Sequence, residues 1–143
     1  MEKIKIKQNI NIWGWPVKTF PEGIGESFDR LIALLPDGMD RSYYGVSYMD
    51  GDKMIYHAAV EEGFAGEAEK YNCTRYTIDK GEYVAVTVKD WRRKTHTIKD
   101  VFSSMVSECP DLNQPAVEWY KNDDEMVCMV KIRPDINGFH RRS

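Results

Sequence analysis

Cysteine is scarce in this 143-residue chain. Cys73, Cys109 and Cys128 are far apart and odd in number. That count excludes a disulfide framework, and no Cys/His pair has metal-ligand spacing. Cys128 lies in a hydrophobic run, where a free thiol acts as a small apolar filler. Histidine is equally sparse: His57, His96 and His140 are scattered. There is no glycine-rich phosphate loop, no GxSxG and no Ser/His/Asp arrangement, so neither a metal nor a cofactor is expected. The acidic residues Asp50, Asp52, Asp123, Asp124 and Glu125 lack the calcium-loop pattern and read as solvated turns. A concentrated basic surface is missing too. With a net charge of −3, nucleic-acid binding is not expected, and Arg92-Arg93-Lys94 reads as a solvated turn. No apolar run approaches a membrane span, and Met1 to Lys7 has no apolar leader core, so a cytoplasmic location without membrane contact is expected.

What is present fits one soluble domain over residues 1–143, with 42% hydrophobic and 30% charged residues. The chain repeats itself. Ile24, Glu26, Phe28, Leu31, Ile32, Pro36 and Asp37 recur 74 positions later as Ile98, Asp100, Phe102, Met105, Val106, Pro110 and Asp111. Tyr48, Asp52, Met54, Ile55 and Val60 recur at an offset of 72 as Tyr120, Asp124, Met126, Val127 and Ile132. The copies run from about residue 4 to 60 and from 75 to 132, with a linker over 61–74 and a frayed tail over 133–143 that holds Arg141 and Arg142.

Each copy predicts a strand, a helix and a hairpin. The first strands are Ile4 to Trp15 and Arg75 to Val88, from their apolar alternation. Apolar residues at helical spacing follow, with Thr97 and Asp100 as a capping box and Pro36 and Pro110 as stops. The hairpins pair about Ser42 to Met49 with Lys53 to Val60, and about Ala116 to Lys121 with Glu125 to Ile132, across Asp- and Asn-rich turns. The expected fold class is α+β. Two strand–helix–strand–strand modules would lie in pseudo-two-fold array, their antiparallel sheets covered by helices on one side, with a ligand cleft between modules on the other.

The cleft's chemistry is read from Pro115-Ala116-Val117-Glu118-Trp119-Tyr120, where a carboxylate interrupts a strand that otherwise reads as buried. Such a group is costly to desolvate without a partner. Alternation puts Glu118 and Tyr120 on one face. If the even, aliphatic positions of the first strands meet the helices, Trp13, Trp15, Tyr83 and Trp91 take the opposite face. The repeat adds Tyr48, with Tyr44 beside it. Aromatic rings around one carboxylate make a cation site.

At Tyr44-Gly45-Val46, Gly81-Glu82-Tyr83, Ile98 to Met105, Pro115 to Tyr120 and Met126 to Ile132, the chain resembles the GyrI-like small-molecule-binding family. That domain is the effector-binding part of AraC-type and MerR-type transcription regulators. The resemblance spans about Ile4 to Pro134. It implies paired modules and a cleft with a buried acidic residue, here Glu118 with Tyr120, that takes bulky, often cationic aromatic compounds. No helix-turn-helix segment accompanies the domain. A stand-alone version is therefore expected; relatives of that kind sequester drugs or toxins, protect gyrase, or hydrolyse cyclopropane-bearing toxins.

The leading expectation is a non-catalytic binding protein for lipophilic cations or planar aromatics, using Glu118, Tyr120, Tyr44, Tyr48, Trp13, Trp15, Tyr83 and Trp91. The alternative is a hydrolase in which Glu118 activates water or protonates a leaving group. A third class is an interaction module for a protein partner with a basic surface.

Overall fold

A computed structural model describes residues 1–18 and 22–133, apart from the side chain of Gln114. The tail over 134–143, with His140, Arg141 and Arg142, lies outside the described residues. Eight strands form: β1 (Glu2–Ile6), β2 (Ile10–Pro16), β3 (Tyr43–Asp50), β4 (Lys53–Glu61), β5 (Thr74–Ile78), β6 (Gly81–Lys89), β7 (Leu112–Tyr120) and β8 (Glu125–Ile132). They pair antiparallel throughout, in the order β1-β6-β8-β7-β3-β4-β2-β5. The result is a single curled half-barrel of the expected α+β class, because β3 and β7 pair at the centre and join what the sequence predicts as separate sheets.

Two 11-residue helices, α1 (Ile24–Leu34) and α3 (Ile98–Glu108), lie on one face, and the short α2 (Glu67–Lys70) adds Ala68 to the core under α1. The apolar stripe of α1 places Leu31 against Trp13, Tyr43, Tyr56 and Ala58, and that of α3 places Met105 against Val84, Met126 and Cys128. α1 stops where Leu35 turns extended before Pro36, as the ring of a following proline demands. Thr97 does not form the expected capping box. Its hydroxyl donates back to Lys94 O at 2.7 Å, inside the 3-10 turn Thr95–Thr97 that leads into α3.

The first strands differ from expectation. Each breaks in two: β1 pairs with β6, and β5 pairs with β2. In the first copy Ile4, Ile6, Ile10 and Ile12 keep one face across the break, which hides it; in the second, Tyr76 and Ile78 share a face with Tyr83 and Ala85, so the parity changes at the break. The corners meet where Asn9 Oδ1 accepts the Lys80 N–H at 2.8 Å, next to Gly81 at φ 143°. The leading strand of each copy therefore lies against the other copy.

Candidate functional site

Side chains on the helix-covered face include Trp13 and Trp15 from β2, Tyr56 and Ala58 from β4, Glu118 and Tyr120 from β7, and Met126 and Cys128 from β8. Tyr44, Tyr48 and Tyr83 project from the other face. Two expectations fail here. The aliphatic residues Ile10 and Ile12 of β2 turn away from the helices, and the helix-free side, where the groove was expected, does not carry Glu118; its hollow of about 280 Å³ is lined by Tyr48, Met49, Tyr76 and Pro115. That side closes on its own core of Ile12, Val46, Ile78, Val117 and Met129, all 2% exposed or less.

The cause is turn length. Asp50 pairs with Lys53 across two residues, whereas Tyr120 pairs with Met126 across five. Turns that differ by an odd number cannot keep one repeat offset in step on both strands. A one-residue slip moves every side chain to the opposite face. Tyr48 and Tyr120 thus occupy opposite faces, although they match in the repeat.

Glu118 sits where α1 and α3 leave the sheet's centre between them. Its Oε1 accepts hydrogen bonds from Tyr56 and Tyr120, each at 2.6 Å, and the two hydroxyls lie 3.2 Å apart. Tyr120 is within reach because residues two apart on a strand share a face. Tyr56 comes from β4, on the far side of β3, and crosses over Gly45, which pairs with both Glu118 and Ala58. A Cβ at position 45 would overlap the Tyr56 hydroxyl and lie 2.6 Å from Glu118 Oε1. Gly45→Ala is therefore expected to lose about 2 kcal/mol of stability, as overpacked cores do. Thermal unfolding checks this, and an unchanged melting temperature would refute the close approach.

Among the described residues no cation pairs with Glu118, and no hydrogen bond reaches its Oε2. The carboxylate keeps partial solvent exposure although protein surrounds it on nearly every side. Burial raises its pKa, and the two phenol bonds only partly offset the rise. Burial beside Glu118 pushes both phenols well above their usual value. Cys128, opposite Glu118 on β8, is pushed up to about 12 by burial and the carboxylate. Aromatic rings stand over the cluster. Phe28 from α1 and Trp91 from the 3-10 turn Trp91–Arg93 each meet Tyr120 at 5.0 Å, at 63° and 66°.

The sequence reading missed a second carboxylate, Glu67 on α2, in a segment that reads as a linker. It is 2% exposed and satisfied on all sides. Trp13 Nε1 donates to it at 2.8 Å, Gly63 N–H at 2.8 Å, and Arg41 at 2.7 and 3.1 Å. Burial works to raise its pKa, but the bonds from Arg41, Gly63 and Trp13 outweigh it and hold the group at about 2. Trp13, which also stacks on Tyr71 at 5.3 Å, belongs to this structural network.

The remaining expected residues are dispersed. Trp15, with Arg30 over its ring at 5.3 Å, lines a cleft of about 690 Å³ between β2 and the start of α1 that Glu118 does not line. Tyr48 stacks on His57 at 5.9 Å, Tyr44 is buried, and the Tyr83 hydroxyl donates to Asp79 O at 2.6 Å. Of the eight expected residues, the structure brings together Glu118, Tyr120 and Trp91. It adds Tyr56 and Phe28. Phe28 was legible only as helix core, and Tyr56 only as one residue of an alternating strand. Among the described residues no group of side chains could hold a metal ion, and no helix is long and apolar enough to cross a membrane.

No protein-family model matches the chain, and no curated protein matches it in sequence. Solved structures do match in fold. An integron cassette protein from Vibrio cholerae superposes with a TM-score of 0.65 at 14% identity, over 92% of this chain and 95% of that one. The protein SAV2435, solved bound to tetraphenylphosphonium, gives a TM-score of 0.67 at 11% identity over 99% and 98%. A structure described as a putative bacterial transcription regulation protein from Staphylococcus aureus gives 0.64 at 11% over 93% and 97%. At these identities the likeness is one of fold, and it extends along nearly the whole chain.

Proposed function

We propose that this chain is a small-molecule-binding protein of GyrI-like type. It takes bulky, lipophilic organic cations at Glu118, as a sequesterer or as an effector-binding component of transcription regulation. The observation that carries the reading is the contrast between two carboxylates of one chain. Glu67 has a guanidinium, an indole and a backbone N–H; Glu118 has two neutral phenols on one oxygen and no cation among the described residues. A largely desolvated carboxylate left in that condition is costly to keep. A guest cation supplies the missing charge, and Tyr120, Phe28 and Trp91 supply ring faces for a weakly hydrated, aromatic guest.

Two further points support the reading. A fold neighbour that spans almost the whole chain was solved with a lipophilic phosphonium. The strand order can also be read as two modules about a pseudo-two-fold axis between β3 and β7. Strand roles then repeat outward from the centre: β7 and β3, β8 and β4, β6 and β2, β1 and β5.

The test is a titration with tetraphenylphosphonium and with neutral triphenylphosphine oxide, followed by calorimetry and thermal shift. The cation should bind and raise the melting temperature by mass action, and the neutral compound should bind roughly tenfold more weakly or worse. Equal affinity for the two compounds would remove the carboxylate from the account.

A further inference from the structure

The two rings that flank Tyr120 are held very differently. Phe28 lies mid-helix on α1, which Leu31 anchors with 0% exposure, and it also packs edge-on against Tyr43 at 6.2 Å. Trp91 belongs to a three-residue 3-10 turn just after β6. The chain enters that turn through Asp90 at φ 56°, a left-handed conformation uncommon outside glycine.

Beyond its ring contact with Tyr120, Trp91 is tied to the turn between β7 and β8. Its Nε1–H donates to Asn122 O at 2.9 Å, and its backbone N–H reaches Asp124 O at 3.4 Å. Arg92 lies over the Trp91 ring at 4.7 Å and pairs with Asp123 at 3.1 Å. That ion pair is open to solvent, with Arg92 63% and Asp123 96% exposed, so it is weak and screened by salt. The turn it grips is firm, since Asn122 Oδ1 accepts the N–H groups of Asp124 and Glu125 at 2.8 and 2.7 Å. To move, Trp91 has to break two hydrogen bonds and an exposed ion pair at the surface, whereas Phe28 is set mid-helix on an element anchored in the core, so Trp91 is the ring with less to give up.

We propose that Trp91 is the movable side of the aromatic cover over Tyr120 and Glu118, clasped by Arg92 and Asp123, and that its displacement sets the size of organic cation that reaches the carboxylate. The inference rests on the reading of Glu118 as a cation site. A tetraphenyl cation has to displace a ring to approach Glu118, whereas a tetramethylammonium ion has far less to move.

Stopped-flow association of tetraphenylphosphonium and of tetramethylammonium tests it on the wild type, Arg92→Gln and Trp91→Ala. For the large cation, Arg92→Gln should raise the association rate roughly threefold, as loss of an exposed pair allows, and Trp91→Ala roughly tenfold or more. Tetramethylammonium rates should change by less than about twofold in Arg92→Gln. Hydrogen exchange at the Trp91 indole N–H, followed by NMR without any ligand, should accelerate in Arg92→Gln. Identical large-cation rates in all three proteins, or an indole proton indifferent to Arg92→Gln, overturn the clasp and leave the Glu118 site standing. No association of either cation with any of the three proteins removes the cation reading itself, and this inference with it.

Discussion

Glu118→Gln should weaken tetraphenylphosphonium binding by roughly 10- to 100-fold, the value of a charged group in a desolvated site, and leave neutral aromatics within about twofold. The same variant should be more stable than the wild type at neutral pH. Burial raises the Glu118 pKa above the ordinary value of 4.5, so ionising the group in the folded protein is uphill. Its contribution is favourable while it is protonated, below the unfolded pKa, and is lost as pH rises through the folded pKa. Gln never ionises, yet its amide oxygen can still accept from Tyr56 and Tyr120. The stability gap should therefore be absent well below pH 4.5 and open as pH rises. At pH 7 a gain of about 1 kcal/mol would lift the melting temperature by about 4 °C. Calorimetric titration and melting curves from pH 4 to 8 check both parts. A variant that binds the phosphonium as tightly as wild type ends the functional proposal. One that binds weakly but gains no stability shows that the carboxylate is better solvated than its surroundings suggest.

The two helices and both hairpins were legible because their signals are local. Phe28, Leu31 and Leu35 recur at helical spacing, Pro36 and Pro110 forbid continuation, and Asp50-Gly51-Asp52 makes a tight turn. The carboxylate at the centre was legible as well, because a charge between Ala116-Val117 and Trp119-Tyr120 contradicts its neighbours. What escaped was set at a distance. The break near Asn9 leaves the alternation of Ile4, Ile6, Ile10 and Ile12 intact, and the one near Lys80 shifts the parity between Ile78 and Tyr83, so pairing with a remote strand is what reveals them. The face of Tyr44 and Tyr48 depended on the residue count of a turn elsewhere, which a single repeat offset conceals. Tyr56 joins Glu118 only because Gly45 lies between their strands, a relation 62 residues long. Glu67 stands among Glu61, Glu62 and Glu69, and nothing in its local sequence separates the one buried carboxylate from its exposed or paired neighbours.

Arg41→Ala should be the most damaging single change to the fold, and it separates structure from function. It strips Glu67 of the one cation that pairs with it among the described residues, while Trp13 and the Gly63 N–H still hold the carboxylate in place. Breaking a buried pair commonly costs 3–5 kcal/mol, and Arg41 keeps 11% of its surface in water, so about 3 kcal/mol is expected. For a domain with roughly 5–15 kcal/mol in hand, that is a large share. The wild-type pair also sets an acid limb. Glu67 is held at about 2, below the ordinary 4.5, so its stabilisation is complete above pH 4.5 and drains away as pH falls towards 2. Glu67→Gln should flatten that limb in denaturant titrations from pH 5 to 2, where Glu118→Gln leaves it intact. Fluorescence of Trp13, whose indole donates to Glu67, reports the same transition. The two carboxylates thus act on stability with opposite sign, one contributing when ionised and the other costing. If Glu67→Gln weakened phosphonium binding as much as Glu118→Gln does, a long-range field rather than one uncompensated oxygen would account for cation affinity.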